Sequence, residues 1–187
     1  MLAGICAGAV ASAVLATGAT GAADATDATD RHGPSLRAEA RFAPAGDDAS
    51  HTALTYDPRL VEPGAWIEVR QHTDRTGATT VDLRVRGMEP GHAYGAHVHR
   101  EPCGADPAAA GGHYQNRPSD DPADAGPHNE VWLDFTPDGR GDGWAEARHD
   151  WGFRPHGASS VVLHDQPGNS GARVACFTVP FRAADRG

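Results

Sequence analysis

Hydrophobic and polar positions along most of this chain alternate with a period of two, the pattern of half-buried strands. Ala65-Trp-Ile-Glu-Val-Arg-Gln71 alternates, and Asp74-Arg-Thr-Gly77 turns the chain. Thr79-Thr-Val-Asp-Leu-Arg-Val-Arg86 then sets Val81, Leu83 and Val85 on one face. The two runs predict a β-hairpin. Gly87–Gly91 is a turn and Ala93–His99 the next strand. Residues 100–127 form a long loop dense in Gly, Pro, Ala and Asp, and loops of that length in a compact domain are usually functional. Val131–Phe135 reads as a strand joined through the turn Pro137–Gly143 to a hairpin partner, Trp144–Trp151. Ser159–His164 is a buried strand, and a short Gly/Pro loop leads to Arg173–Val179. No segment sustains a helical period. The expectation is an all-β chain, an antiparallel Greek-key β-sandwich or barrel of about eight strands with long loops.

The two ends read differently. Met1–Thr17 is an apolar run without a charge, followed by the small residues Gly18–Ala23. This suits a secretory signal peptide, with a short membrane anchor as the alternative. Residues 24–50 are rich in Ala, Asp, Thr, Gly and Pro without periodicity and read as a disordered linker. The folded domain is expected over 51–181, with 182–187 a tail.

Charge narrows the partners. The chain of 187 residues has a formal net charge of −9, and all 16 of its basic residues are Arg. An acidic chain without a basic block argues against nucleic acid. An exported domain with two cysteines, Cys103 and Cys176, reads as holding one disulfide, worth ~4 kcal/mol on loop-closure entropy. Two free thiols of a cytosolic protein are the alternative.

Histidines carry the candidate chemistry. His97-Val98-His99 places two imidazoles on one face of a strand, about 7 Å apart, close enough to reach one ion. His164 ends the strand Val161-Val-Leu-His, at a rim. His113 sits in Gly111-Gly-His-Tyr-Gln-Asn, where glycines allow close backbone approach. Three or four neutral imidazoles suit copper or zinc, and a tetragonal nitrogen set favours Cu(II). The remaining histidines (His32, His51, His72, His92, His149 and His156) are scattered over linker, turns and strands and carry no pattern.

Gly95-Ala-His97-Val-His99, Cys103, Gly-Gly-His113-Tyr-Gln-Asn, Val-Val-Leu-His164 and Gly168-Asn-Ser-Gly-Ala-Arg173-Val-Ala-Cys176 together resemble the copper/zinc superoxide dismutase family, in the family's order and over roughly residues 50–181. The resemblance implies that His97, His99, His113 and His164 ligate copper and that His113 occupies the position of the histidine bridging copper to zinc. It implies that Arg173 stands beside the open copper position and that Cys103 and Cys176 pair. It also implies a cycle in which superoxide, the substrate, first reduces and then reoxidises copper, while His113 leaves the reduced metal, takes up a proton and delivers it to the second superoxide.

Two departures matter. The family's zinc site needs further histidines and an aspartate, but the loop offers only His128, with Val131 where the aspartate should stand. One ligand beyond the bridge does not hold a tetrahedral zinc, and Asp120, Asp121 and Asp124 read as solvated surface. Only eight residues separate His164 from Arg173, so the family's long charged guiding loop is largely absent. Both resemble the copper-only branch, where a glutamate holds the second nitrogen of the bridging histidine. Glu130 is the candidate here, and zinc is doubtful. Arg100 and Arg117 are the nearby charges expected to draw the anion inward. The expectation is therefore a secreted, copper-dependent superoxide dismutase. The alternatives are a secreted copper-binding protein without turnover, and an adhesion sandwich with incidental histidines.

Overall fold

The computed structural model describes residues 35–46 and 50–184. The expected leader over 1–23, residues 24–34 and the last three residues lie outside them. In chain order the strands are β1 (Ser35–Arg41), β2 (Ala43–Pro44), β3 (Ala53–Thr55), β4 (Val61–Thr73), β5 (Thr79–Met88), β6 (Gly95–His99), β7 (Gly143–His149), β8 (Ser160–His164) and β9 (Arg173–Thr178). One sheet runs β1-β4-β5-β7 and the other β2-β3-β9-β8-β6. All neighbours are antiparallel except the two-residue β2–β3 pair, which is parallel. The fold is an all-β sandwich with long loops.

Period-two alternation decides which side chains the sheets share. Ile67 and Val69 of β4 and Val81, Leu83 and Val85 of β5 meet Ala96 and Val98 of β6, Val161 and Leu163 of β8, and Ala175 and Phe177 of β9 in one buried cluster. The predicted β4–β5 hairpin is present, with Val69 opposite Leu83 and Ile67 opposite Val85.

The five-stranded sheet is unusual in being covered on both faces. Its outer face lies under the segment after β6, where Ala110, Val162 and Cys176 form a second small cluster with Tyr56 and Cys103 packed against it. All five residues of β6 and of β8 are therefore buried. The cover is fastened by the Cys103–Cys176 disulfide, which joins loop to β9 across 73 positions of sequence.

Two sequence expectations need correction, and one strand gave no signal. Ser35–Pro44 is strand, not disordered linker: β1 pairs with β4 from Ser35 opposite His72 to Arg41 opposite Trp66. Its inward residues are Leu36, Ala38 and Ala40, and alanine is too weakly apolar to make the alternation stand out. The three-residue β3 is too short to show any period. The second correction concerns Pro137–Gly143, which is a crossover between sheets and not a hairpin turn. Asp138 caps it by accepting from the N–H groups of Arg140 (2.8 Å) and Asp142 (3.1 Å). The chain then enters β7, which pairs with β5 in the four-stranded sheet. Residues 131–135 instead run along β6, through the bridges Tyr94–Phe135 and His97–Trp132. Local alternation cannot distinguish the two, because a strand's period does not reveal its partner.

Leu83 is fully buried between the sheets. Leu83→Ala is expected to lower unfolding free energy by about 3 kcal/mol, read as a fall in denaturant midpoint at unchanged m-value.

Candidate metal centre

His97 and His99 lie on the outer face of β6, alternating with core-facing Ala96 and Val98. His164, at the end of β8, is opposite Gly95 in the register. Gly95 is required there: a Cβ would stand 2.5 Å from the Gln166 carbonyl oxygen and 3.3 Å from His164 Cβ. His113 arrives from the covering loop through a bridge to His99. The ligand atoms of the four histidines lie within 4.8 Å of one another, so they are positioned to bind a metal ion.

Three of the four rings are held from behind. His99 Nδ1 donates to the Gly111 carbonyl at 3.0 Å and His164 Nδ1 to the Gly171 carbonyl at 2.9 Å. Because a carbonyl only accepts, both protons sit on Nδ1 and both Nε2 lone pairs face the cluster. Those two Nε2 atoms, and both nitrogens of His97, are buried without a hydrogen bond. His97 Nε2 lies 3.1 Å from Asp134 Oδ1, in contact but outside hydrogen-bond alignment. Buried polar atoms without partners are rare and call for an explanation. Convergent imidazole lone pairs that a metal would satisfy supply one, and an all-imidazole donor set suits copper or zinc.

His113 is different. Its Nδ1 donates to Glu130 Oε2 at 2.8 Å, which leaves Nε2 for the cluster. The same carboxylate accepts from Trp132 Nε1 at 2.8 Å and from Gln115 Nε2 at 3.2 Å. Burial pushes the Glu130 pKa up, but His113, Trp132 and Gln115 outweigh it and hold the group below the usual carboxylate range. Glu130 is thus a buried anion on the side of His113 away from the cluster. His128 is exposed and, like Asp120, Asp121 and Asp124, does not join the four-histidine group. Asp121 caps a short turn by accepting from Ala123 N–H.

Arg173 begins β9 and reaches under the loop, donating to the Pro107 carbonyl at 2.7 Å and the Gly111 carbonyl at 2.5 Å. Gly111, at φ 68°, therefore offers one oxygen to both His99 and Arg173. Burial pushes the His99 pKa down to about 2 and that of His164 to about 4, with the Arg173 charge adding to both shifts. His97 is lowered mainly by burial as well. Arg100 and Arg154 line a cavity of about 320 Å3 beside His113 and Glu130. Arg117 is exposed, with its backbone tied to Asn129.

Sequence reasoning missed Asp134, Trp132 and Arg154. Asp134 accepts from Ala96 N–H through Oδ1 and from Gly168 N–H through Oδ2, both at 3.0 Å, and so joins β6, the 131–135 segment and the loop after His164. The Trp132 ring stands 4.9 Å from the His97 ring. Both residues alternate with core-facing Val131, Leu133 and Phe135. That alternation was the available signal, but it points to the site only once the segment is known to lie against β6. Arg154 donates to the Gln115 and Asn116 carbonyls and covers the Tyr114 ring at 4.8 Å.

No family profile matches this chain, and no curated protein does. Among solved structures, a chain described as the clock protein EA4 is similar at 20% identity, over 61% of this chain and 85% of that one, with a TM-score of 0.45.

Two outcomes are expected. Glu130→Gln removes the anion behind His113 but keeps the shape, so metal affinity should fall about 10- to 100-fold in competition against a colorimetric chelator. The metal-free chain should also be acid-labile. His97, His99, His164 and His149 are all lowered mainly by burial, so the unfolded chain binds protons that the folded chain refuses. Stability is full above the unfolded value near 6.5 and falls as pH drops below it, at up to about 1.4 kcal/mol per pH unit for each imidazole. Denaturant midpoints at pH 7.5 and 5.5 measure this, and His149→Phe should flatten the profile by one proton's share.

Proposed function

We propose that this chain binds one copper ion through His97, His99, His113 and His164 and dismutes superoxide there, as a zinc-lacking relative of the copper/zinc superoxide dismutases. The observation that carries the reading is the placement of Arg173. A metal store gains nothing from a guanidinium that depresses the basicity of its own ligands. A catalyst for an anion gains a fixed dock. Arg173 is held by two carbonyls, one of them shared with His99, so its charge is preorganised and costs little reorganisation when superoxide arrives.

Copper, when bound, supplies one-electron oxidation of one superoxide and one-electron reduction of the next. The chain supplies the rest. His99 and His164 keep their protons on Nδ1, locked on carbonyls, and present Nε2 throughout. His113 keeps its Nδ1 proton on Glu130, so Nε2 is the atom that would hold copper and, when not bound to it, would carry one of the two protons with which the reduced product leaves as hydrogen peroxide, solvent supplying the other. Glu130 fixes the orientation of the His113 ring by accepting from its Nδ1. Arg100 and Arg154 add positive charge beside His113.

The disulfide fits an oxidising compartment, and among the described residues no helix is long and apolar enough to cross a membrane. The disulfide supports reading the chain as secreted.

Copper-loaded protein is expected to dismute superoxide far faster than buffer, measured by decay after pulse radiolysis. Arg173→Ala should cost one to two orders of magnitude with copper content unchanged, and His113→Ala should cost more. Tight copper binding with no acceleration over buffer would leave a copper-binding protein without turnover.

A further inference from the structure

Three of the four clustered histidines sit on strands, where a ladder of backbone hydrogen bonds sets the chain beneath each ring: His97 and His99 on β6 and His164 at the end of β8. His113 does not. It arrives on the covering loop, which meets β6 at the bridge from His113 to His99 and through the Tyr114 N–H, donating at 2.8 Å to the Val98 carbonyl. What fixes this loop elsewhere therefore decides where His113 Nε2 stands.

An arginine grips the loop on each side of His113, and each arginine spans two loop carbonyls. Upstream, Arg173 donates to the carbonyls of Pro107 and Gly111. Downstream, Arg154 Nη1 donates to the Gln115 carbonyl at 2.6 Å and also to the Asn116 carbonyl. The Arg154 guanidinium lies over the Tyr114 ring, 4.8 Å from its centroid, and the Arg154 backbone N–H donates to the Tyr114 hydroxyl at 3.0 Å. The three residues that follow His113 thus all contact Arg154, which belongs to the segment between β7 and β8. Gly157 lets that segment lie so close, since a Cβ there would stand 2.8 Å from Tyr114 Cε2. Arg154 faces no carboxylate within ion-pair distance among the described residues, so its charge is committed to the loop. From the other side, the Asn116 N–H donates to the Asn129 carbonyl at 2.7 Å and Gln115 Nε2 to Glu130 at 3.2 Å.

We propose that Arg154 is the positioning residue for the fourth metal ligand: it holds the backbone that follows His113 so that Nε2 stays with the other three rings, and it touches neither metal nor substrate. This role rests on the four-histidine group holding a metal ion and is independent of turnover. Carbonyls of successive residues in an extended strand point opposite ways. One nitrogen reaches two of them here because the chain bends at Asn116, and the two bonds fix that bend. Hydrogen bonds from a charged donor are the stronger kind, and a residue serving only to pack on Tyr114 would need none. A ligand set has to be held to within about 0.5 Å, so a bend released three residues from His113 is felt at the metal.

The test is a double-mutant cycle on Cu(II) affinity, measured on the full chain by chelator competition, with electron paramagnetic resonance of the copper-saturated protein as a second readout. Arg154→Met keeps an apolar contact with Tyr114 and removes the donors. Its affinity is expected to fall about tenfold, and its spectrum to move from that of the wild type toward that of His113→Ala. In the His113→Ala background the same substitution should cost less than about twofold, because the ligand it positions is gone. Arg154→Lys, which keeps a cation with three donors, should retain most of the affinity. Equal losses in the two backgrounds, no loss in either, or a wild-type spectrum for Arg154→Met would overturn the proposal. Should Arg154→Met not fold, Arg154→Gln, with a neutral amide able to serve one carbonyl, carries the same cycle. A wild-type chain that takes up no copper would overturn the metal reading as well, whereas uptake without coupling between Arg154 and His113 would overturn this role alone.

Discussion

The bond between Cys103 and Cys176 makes one rigid object of the covering loop and the five-stranded sheet. Without a cover, β6 and β8 would show the solvent an outer face bearing His97, His99, Val162 and His164. With the loop fastened to β9, that face is buried and its imidazoles are stripped of water. The same fastening sets the position of Gly111, whose carbonyl then fixes the tautomer of His99 and the place of Arg173. Ligand geometry, imidazole neutrality and the location of the guanidinium all follow from where this loop lies.

Burial has opposite consequences on the two sides of the cluster. Toward the metal position, desolvation keeps His97, His99 and His164 neutral, the state a metal ligand needs. On the far side of His113, three hydrogen-bond donors keep Glu130 charged despite its burial. A neutral nitrogen set and an adjacent anion thus coexist within a few residues because each group's donors and acceptors differ. Trp132 connects the two halves, touching the His97 ring and donating to the carboxylate that holds His113.

The two outer faces of the sandwich do different work with the same alternation. On the five-stranded sheet the outward positions are histidines under a loop. On the four-stranded sheet they include arginines, acids, the half-buried Trp66 and the exposed Trp144. Because every basic residue is arginine, each cation on that face is a planar fork able to stack or to bind bidentately, and strand register alone decides which of them find carboxylates.

Much of this was legible beforehand. Alternation in β4 and β5, the i and i+2 spacing of His97 and His99, and turn residues around Asp74 are local signals, and local signals survive in one dimension. Glu130 was reachable only through the family resemblance. Asp134, Trp132 and Arg154 were not reachable, because their relevance lies in which strand runs beside β6, and a period of two is the same whichever neighbour a strand takes. For the same reason the 131–135 segment was given the wrong partner and β1 was lost among alanines. The amino-acid order by itself determined an all-β chain with histidines grouped on strand faces. Only the tertiary structure decided that a loop pinned to β9 would bring four of them together and bury three, because hydrogen-bond partners and desolvation belong to packed neighbours and not to sequence position.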